Sequence, residues 1–223
     1  MATNVNSEVT YSDTNGSNSS PSYMPIIITG IVMLALGGLL GYWFGRAQVP
    51  AADSVEVGFA RDMSIHHEQA VQMAALVYDR TENDAIRSLA FDILTTQQGQ
   101  IGIMSGWLDA WDMPWTSAGP RMGWMGMPME GLMPGMATAE EMAALREATG
   151  EAADAIFLQL MIPHHRSGVE MAQYAADRVT IEPVRLLATG MSTAQDLEIA
   201  YMEELLAAIG VDAPPPDAGS HDH

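Results

Sequence analysis

The chain has 223 residues, 48% of them hydrophobic, enough for one domain of ordinary size with appendages. Its formal net charge is −19, and all nine basic residues are Arg; such a surface repels phosphate backbones and anionic headgroups, which excludes a nucleic-acid partner. There is no Cys, which excludes disulfides, thiolate metal sites and Cys nucleophiles.

Residues 1–23 are rich in Ser, Asn and Thr and read as a disordered tail. From Met24 the composition changes to MPIIITGIVMLALGGLLGYWFG, and no charged residue occurs between Asp13 and Arg46. The apolar run Ile26–Phe44 would rise about 28 Å as a helix, enough to cross a bilayer core. Tyr42 and Trp43 at its end suit the interfacial belt. A cleaved signal peptide calls for a basic n-region and a small-x-small site, and neither is evident. Residues 24–45 are therefore expected to be a single transmembrane anchor, followed by a linker at 46–53. Arg46 alone, taken by the positive-inside rule, would put the remainder of the chain in the cytoplasm.

Beyond the linker the periodicity is helical with almost no strand signal. Helices are expected at about 54–79, 82–110, 151–178 and 182–209, with a shorter one near 139–148 that opens on a capping box, Thr138 and Glu141. Between the second and third long helices lies a loop, 112–137, rich in Gly, Pro and Met. Residues 54–210 form the globular domain, and the proline-rich tail 211–223 is expected to be disordered.

The domain is internally duplicated. Shifted by 98 residues, 57–108 aligns with 155–206 without a gap, with 17 identities in 52 positions. They concentrate in Met-x-x-His-His-x-x-x-Val-x-Met-Ala on the first helix of each half and Gln-x-x-x-Ile-x-x-Met on the second. Two duplicated helix pairs predict an all-α, antiparallel four-helix bundle, preceded by the membrane helix. At 100° per residue Met63, Ala70 and Ala74 share one line, His66 and His67 flank it, and Met73 lies on the His66 side, so the His pairs face the bundle interior.

Imidazole nitrogen suits copper, zinc, iron and nickel, whereas thioether sulfur favours Cu(I). His with Met and without Cys therefore points to copper. Met63 stands one turn from His66 and His67 and is able to share an ion with either, and Met161 repeats the arrangement with His164 or His165. Met73, Met104, Met171 and Met202 are candidate further ligands. The plain structural alternative is that Met fills bundle cores well and that Gln97, Gln195 or Glu198 satisfies the imidazoles in a hydrogen-bond network. Two adjacent buried His, repeated in both halves, are a costly way to fill space. Pro163, where the first half has Ile65, removes a helix hydrogen bond and predicts a kink beside His164. The loop Met residues (113, 122, 125, 127, 129, 133 and 136) are expected on flexible backbone, free either to wrap Cu(I) or to contact a protein partner. His221 and His223 belong to a solvated tail.

Glu-x-x-His, His-Glu-x-x-His, phosphate-binding glycine loops and Gly-x-Ser-x-Gly are all absent, and no enzyme activity is expected. The doubled His-His/Met motif with its downstream Gln-x-x-x-Ile-x-x-Met resembles the bacterial "domain of unknown function 305" proteins over about residues 55–209. That resemblance implies a ferritin-like four-helix bundle, export or membrane anchoring, and in some members copper binding and copper resistance. It carries a copper-handling role onto Met63, His66, His67, Met73, Met161, His164, His165 and Met171. Gln100 departs from the pattern, standing where the second half has Glu198, the more typical acidic residue. The family's usual export, and the persistence of thioethers where thiols are oxidised, favour a domain facing outward against the single-arginine hint. The leading expectation is a membrane-anchored protein that sequesters or buffers Cu(I) or Cu(II) through the duplicated motifs. The alternative is a structural or accessory subunit whose bundle and Met-rich loop dock a protein partner.

Overall fold

The computed structural model describes residues 22–45, 49–117 and 119–215. The expected disorder of residues 1–21 and 216–223, Arg46 and the start of the linker lie outside the described residues, as do His221 and His223. The chain divides into two compact units, Met1–Ala47 and Gln48–His223.

In the first unit, α1 runs Met24–Gly45. Among the described residues it is the one helix long and apolar enough to cross a membrane, and its side chains are exposed from Met24 to Tyr42.

Among the described residues the second unit is all helix and loop. Its helices are α2 (Val55–Tyr78), α3 (Asp84–Ala110), α4 (Ala139–Glu147), α5 (Gly150–Arg178) and α6 (Glu182–Ala208). Side-chain caps start α2, α3 and α4 close to where the sequence predicts. The Ser54 side chain accepts from the Val57 N–H, and the Asn83 side chain from those of Ala85 and Ile86. Thr138 and Glu141 close the expected capping box on α4. Arg87 donates to the Tyr78 carbonyl and, at close range, to that of Thr81, satisfying the end of α2.

α2 packs on α3, α5 on α6, and the two pairs meet through α2 and α5, while α4 lies against both central helices. Their buried residues form two apolar clusters. One holds Met63, Met104 and Met171, and the other holds Met73, Met161 and Met202. Met63 before the first His pair thus shares a cluster with Met171 after the second, and Met161 with Met73. This exchange requires α2 and α5 to run antiparallel, and it sets the two halves about a local twofold.

The Met-rich loop is ordered and folded back onto the bundle. Asp62 is buried, and its Oδ2 accepts from the Met122 N–H and the Trp124 indole, each at 2.8 Å. Gly58 makes the Trp124 seat, since a Cβ there would lie 2.3 Å from the indole. Arg121 and Met129 pair across the loop, and Gln69 grips both the N–H and the carbonyl of Ala137. Met122, Met133 and Met136 are buried as a result, whereas Met127 is exposed. The sequence predicts flexible backbone here because Gly and Pro deny it regular structure. What holds it is anchoring to polar side chains of α2, which no local pattern announces.

α5 continues through Pro163 without interruption. Gly135, at φ +72°, sits directly against the Pro163 carbonyl, 2.4 Å from where its Cβ would be. The proline therefore marks the place where the loop docks on the helix.

Candidate metal centre

All ten residues singled out by sequence are buried: Met63, Met73, Met104, Met161, Met171, Met202, His66, His67, His164 and His165. The four imidazoles form a polar layer between the two methionine-containing clusters. At its centre the rings of His66 and His164 stack with centroids 3.8 Å apart and planes tilted by 33°. These are equivalent positions of the two halves, meeting where α2 crosses α5. His165 lies 6.2 Å from His164, ring to ring.

The hydrogen bonds define the imidazole faces. His67 Nε2 lies 2.8 Å from Gln100 Oε1, and His165 Nε2 lies 2.7 Å from Glu198 Oε2. His164 Nε2 lies 3.0 Å from the His66 backbone carbonyl. Each partner is an oxygen that only accepts, so each Nε2 carries the proton and donates it. The Nδ1 atoms of His67, His164 and His165 are then bare lone pairs. All three are buried and without a hydrogen-bond partner, and His66 makes no well-formed hydrogen bond from either ring nitrogen, with only the Pro134 backbone acting on it as a weak partner.

Burial dominates the protonation of three of these imidazoles, His66, His67 and His164. Loss of solvation, reinforced by His67 and His165, pushes the His66 pKa down to about 3, against a smaller upward pull from the Pro134 backbone. Loss of solvation brings His67 to about 3 as well, countered in part by its Gln100 hydrogen bond. His164 is driven well below its ordinary value by burial and then by His66 and His165. These imidazoles are neutral at physiological pH, the state in which they ligate metals.

An unpartnered buried acceptor costs about 1–3 kcal/mol. Three bare Nδ1 atoms, with the unpaired Oε1 atoms of Gln97 and Gln195, make this layer a poor structural network and a good ligand set. Of Gln97, Gln195 and Glu198, which the structural alternative offered as partners, Glu198 bonds a histidine and the two glutamines do not; Gln100 takes that place for His67. Gln100 is the residue that sequence reading missed in this role. Its signal was available, since Gln100 follows His67 by the same interval that separates Glu198 from His165. Among the described residues no three His, Asp or Glu side chains come together as a ready cage. A metal held here would need ligands beyond these, and the flanking clusters hold the six methionines of the motif. The combination is soft or borderline, suited to copper and poorly suited to Mg²⁺ or Ca²⁺. The loop adds Met133 and Met136 to the cluster of Met63, Met104 and Met171.

Comparison with known proteins gives a consistent picture. The family model described as "Domain of unknown function (DUF305)" matches residues 56–206. A DUF305 protein from Streptomyces coelicolor is 48% identical in sequence, with a TM-score of 0.71, over 74% of this chain and 99% of its own. A DUF305 fragment from Deinococcus radiodurans is 33% identical, with a TM-score of 0.58, over 69% of this chain and 96% of its own. CopM in its Cu(II)-bound form is 26% identical, with a TM-score of 0.57, over 70% of this chain and 97% of its own. None of the curated proteins matches the sequence.

Proposed function

The chain belongs to the DUF305 family, and from that premise we propose that its bundle binds copper, sequestering or buffering Cu(I) and Cu(II) without catalytic turnover. The observation that carries this reading is the set of bare, buried Nδ1 lone pairs on His67, His164 and His165, each oriented by an Nε2 donor bond to oxygen. Metal-bound histidines are oriented in this way by their outer partners. The likeness to a protein known in a Cu(II)-bound form supports the choice of metal. His66, His67, His164 and His165 supply nitrogen; Met63, Met104 and Met171 on one side, and Met73, Met161 and Met202 on the other, supply sulfur. Thioethers hold Cu(I), and imidazoles accept either oxidation state.

In this reading α1 tethers the domain to a membrane and the domain faces outward, where thioethers keep their ligand character and thiols would be lost. Burial of Met122, Met133 and Met136 against the chain's own helices favours the bundle over a protein partner as the loop's role.

Competition with a chromophoric Cu(I) chelator tests the proposal. The double variants His66→Ala/His67→Ala and His164→Ala/His165→Ala are each expected to weaken copper binding by at least about tenfold. Unchanged affinity in both, with the helical circular dichroism retained, would refute it.

A further inference from the structure

The duplication provides a controlled comparison inside one molecule. His67 and His165 occupy equivalent positions, both fully buried, and both leave Nδ1 unpartnered. Each donates from Nε2 to a residue 33 positions on, across 2.8 Å to Gln100 and 2.7 Å to Glu198. The two sites differ in the charge of the acceptor. Glu198 also lines a groove of about 350 Å³ with Ser88, Leu89, Asp92, Leu197 and Tyr201. The imidazole side of the His165–Glu198 hydrogen bond is fully buried, while the Glu198 side chain is 22% exposed.

We propose, resting on the copper reading above, that Glu198 makes the two halves electronically unequal: the His165 side is the seat for Cu(II), and the His67 side, backed by a neutral amide, is the seat for Cu(I). A carboxylate accepting the Nε2 proton pushes electron density through the ring and raises the donor strength of Nδ1. It also places one negative charge a ring's width from the ion. The extra positive charge of Cu(II) gains from that charge, and Cu(I) gains about half as much. Gln100 orients His67 equally well and supplies no charge. The two residues are thus specificity determinants acting through a histidine, and the six motif methionines divide three and three between the flanking clusters.

The test is a pair of isosteric substitutions, E198Q and Q100E, each titrated with Cu(II) and, under reducing conditions, with Cu(I), in competition with chelators. E198Q is expected to weaken Cu(II) binding roughly ten- to a hundredfold while Cu(I) affinity stays within about threefold. Q100E is expected to act oppositely, strengthening Cu(II) binding at the His67 side, with the Cu(II) electron paramagnetic resonance spectrum reporting the added seat. The amide in E198Q still accepts the His165 proton, so the fold is retained, and Q100E tests the same idea with the opposite sign. Equal loss of both ions in E198Q, or no change in Cu(II) affinity in either variant, overturns the inference while leaving copper binding itself intact. A wild-type protein that binds neither ion overturns both readings.

Discussion

His66 and His67 make the metal-free protein sensitive to acid in a defined direction. In the unfolded chain each imidazole takes up a proton near its ordinary pKa of 6.5, whereas in the fold burial holds both at about 3. Between those values the unfolded state binds more protons, so stability is complete above pH 6.5 and falls as pH drops toward 3. The slope is about 1.4 kcal/mol per pH unit for each such histidine. Thermal melts of the metal-free protein are expected to show a midpoint that declines steadily from pH 7 to pH 5. A flat profile over that interval would mean that the layer is hydrated or already charged. Burying both imidazoles neutral is also what keeps their lone pairs available to an ion, so one property serves acid lability and ligation alike.

At the scale of elements, the loop 112–137 is fastened to the bundle at separated points: Asp62 to Met122 and Trp124, Gln69 to Ala137, and Gly135 to the Pro163 carbonyl. The last is a backbone-to-backbone approach that only glycine permits, both for space and for its φ of +72°. Gly135→Ala is therefore expected to destabilise the domain by about 3 kcal/mol, from left-handed strain and overpacking together. Chemical denaturation measures it, and a loss below about 0.5 kcal/mol would show that the loop rides freely over α5. The same substitution loosens Met133 and Met136, which lie in the cluster of Met63, Met104 and Met171. Pro163 contributes here as well. Its ring leaves the Gln159 carbonyl without its usual helical donor, and both residues line a groove of about 370 Å³ beside Gly135 and Met136.

On the scale of the whole molecule, the chain divides into two compact units after residue 47. The second contains every candidate ligand, its own apolar clusters and its own caps. A chain beginning at Gln48 is expected to fold, to remain in the aqueous fraction and to retain the copper affinity of the full chain. The full chain is expected in the membrane fraction, resistant to alkaline carbonate, because α1 is exposed and apolar from Met24 to Tyr42. Recovery of the full chain in the soluble fraction, shortened by cleavage after α1, would replace the anchor by an export signal.

By itself the sequence determined the helices, because heptad-scale periodicity and capping residues act within a few turns. It also determined the buried faces and the twofold plan, because a duplicated motif must fold twice in the same way. The spacing of Met63, His66 and His67 placed them on one side of α2, and the structure buries all three. The grouping of ligands was decided only by tertiary structure. The sequence pairs Met63 with its own half, whereas antiparallel packing puts Met63 with Met171 and Met73 with Met161. Stacking of His66 on His164, the choice of Gln100 over Gln97 as the partner of His67, and the folding-down of the Met-rich loop likewise depend on how α2 meets α3 and α5. Contacts between residues far apart in the chain leave no periodic trace in the sequence, because they arise from the closest packing of whole helices rather than from the residues beside them.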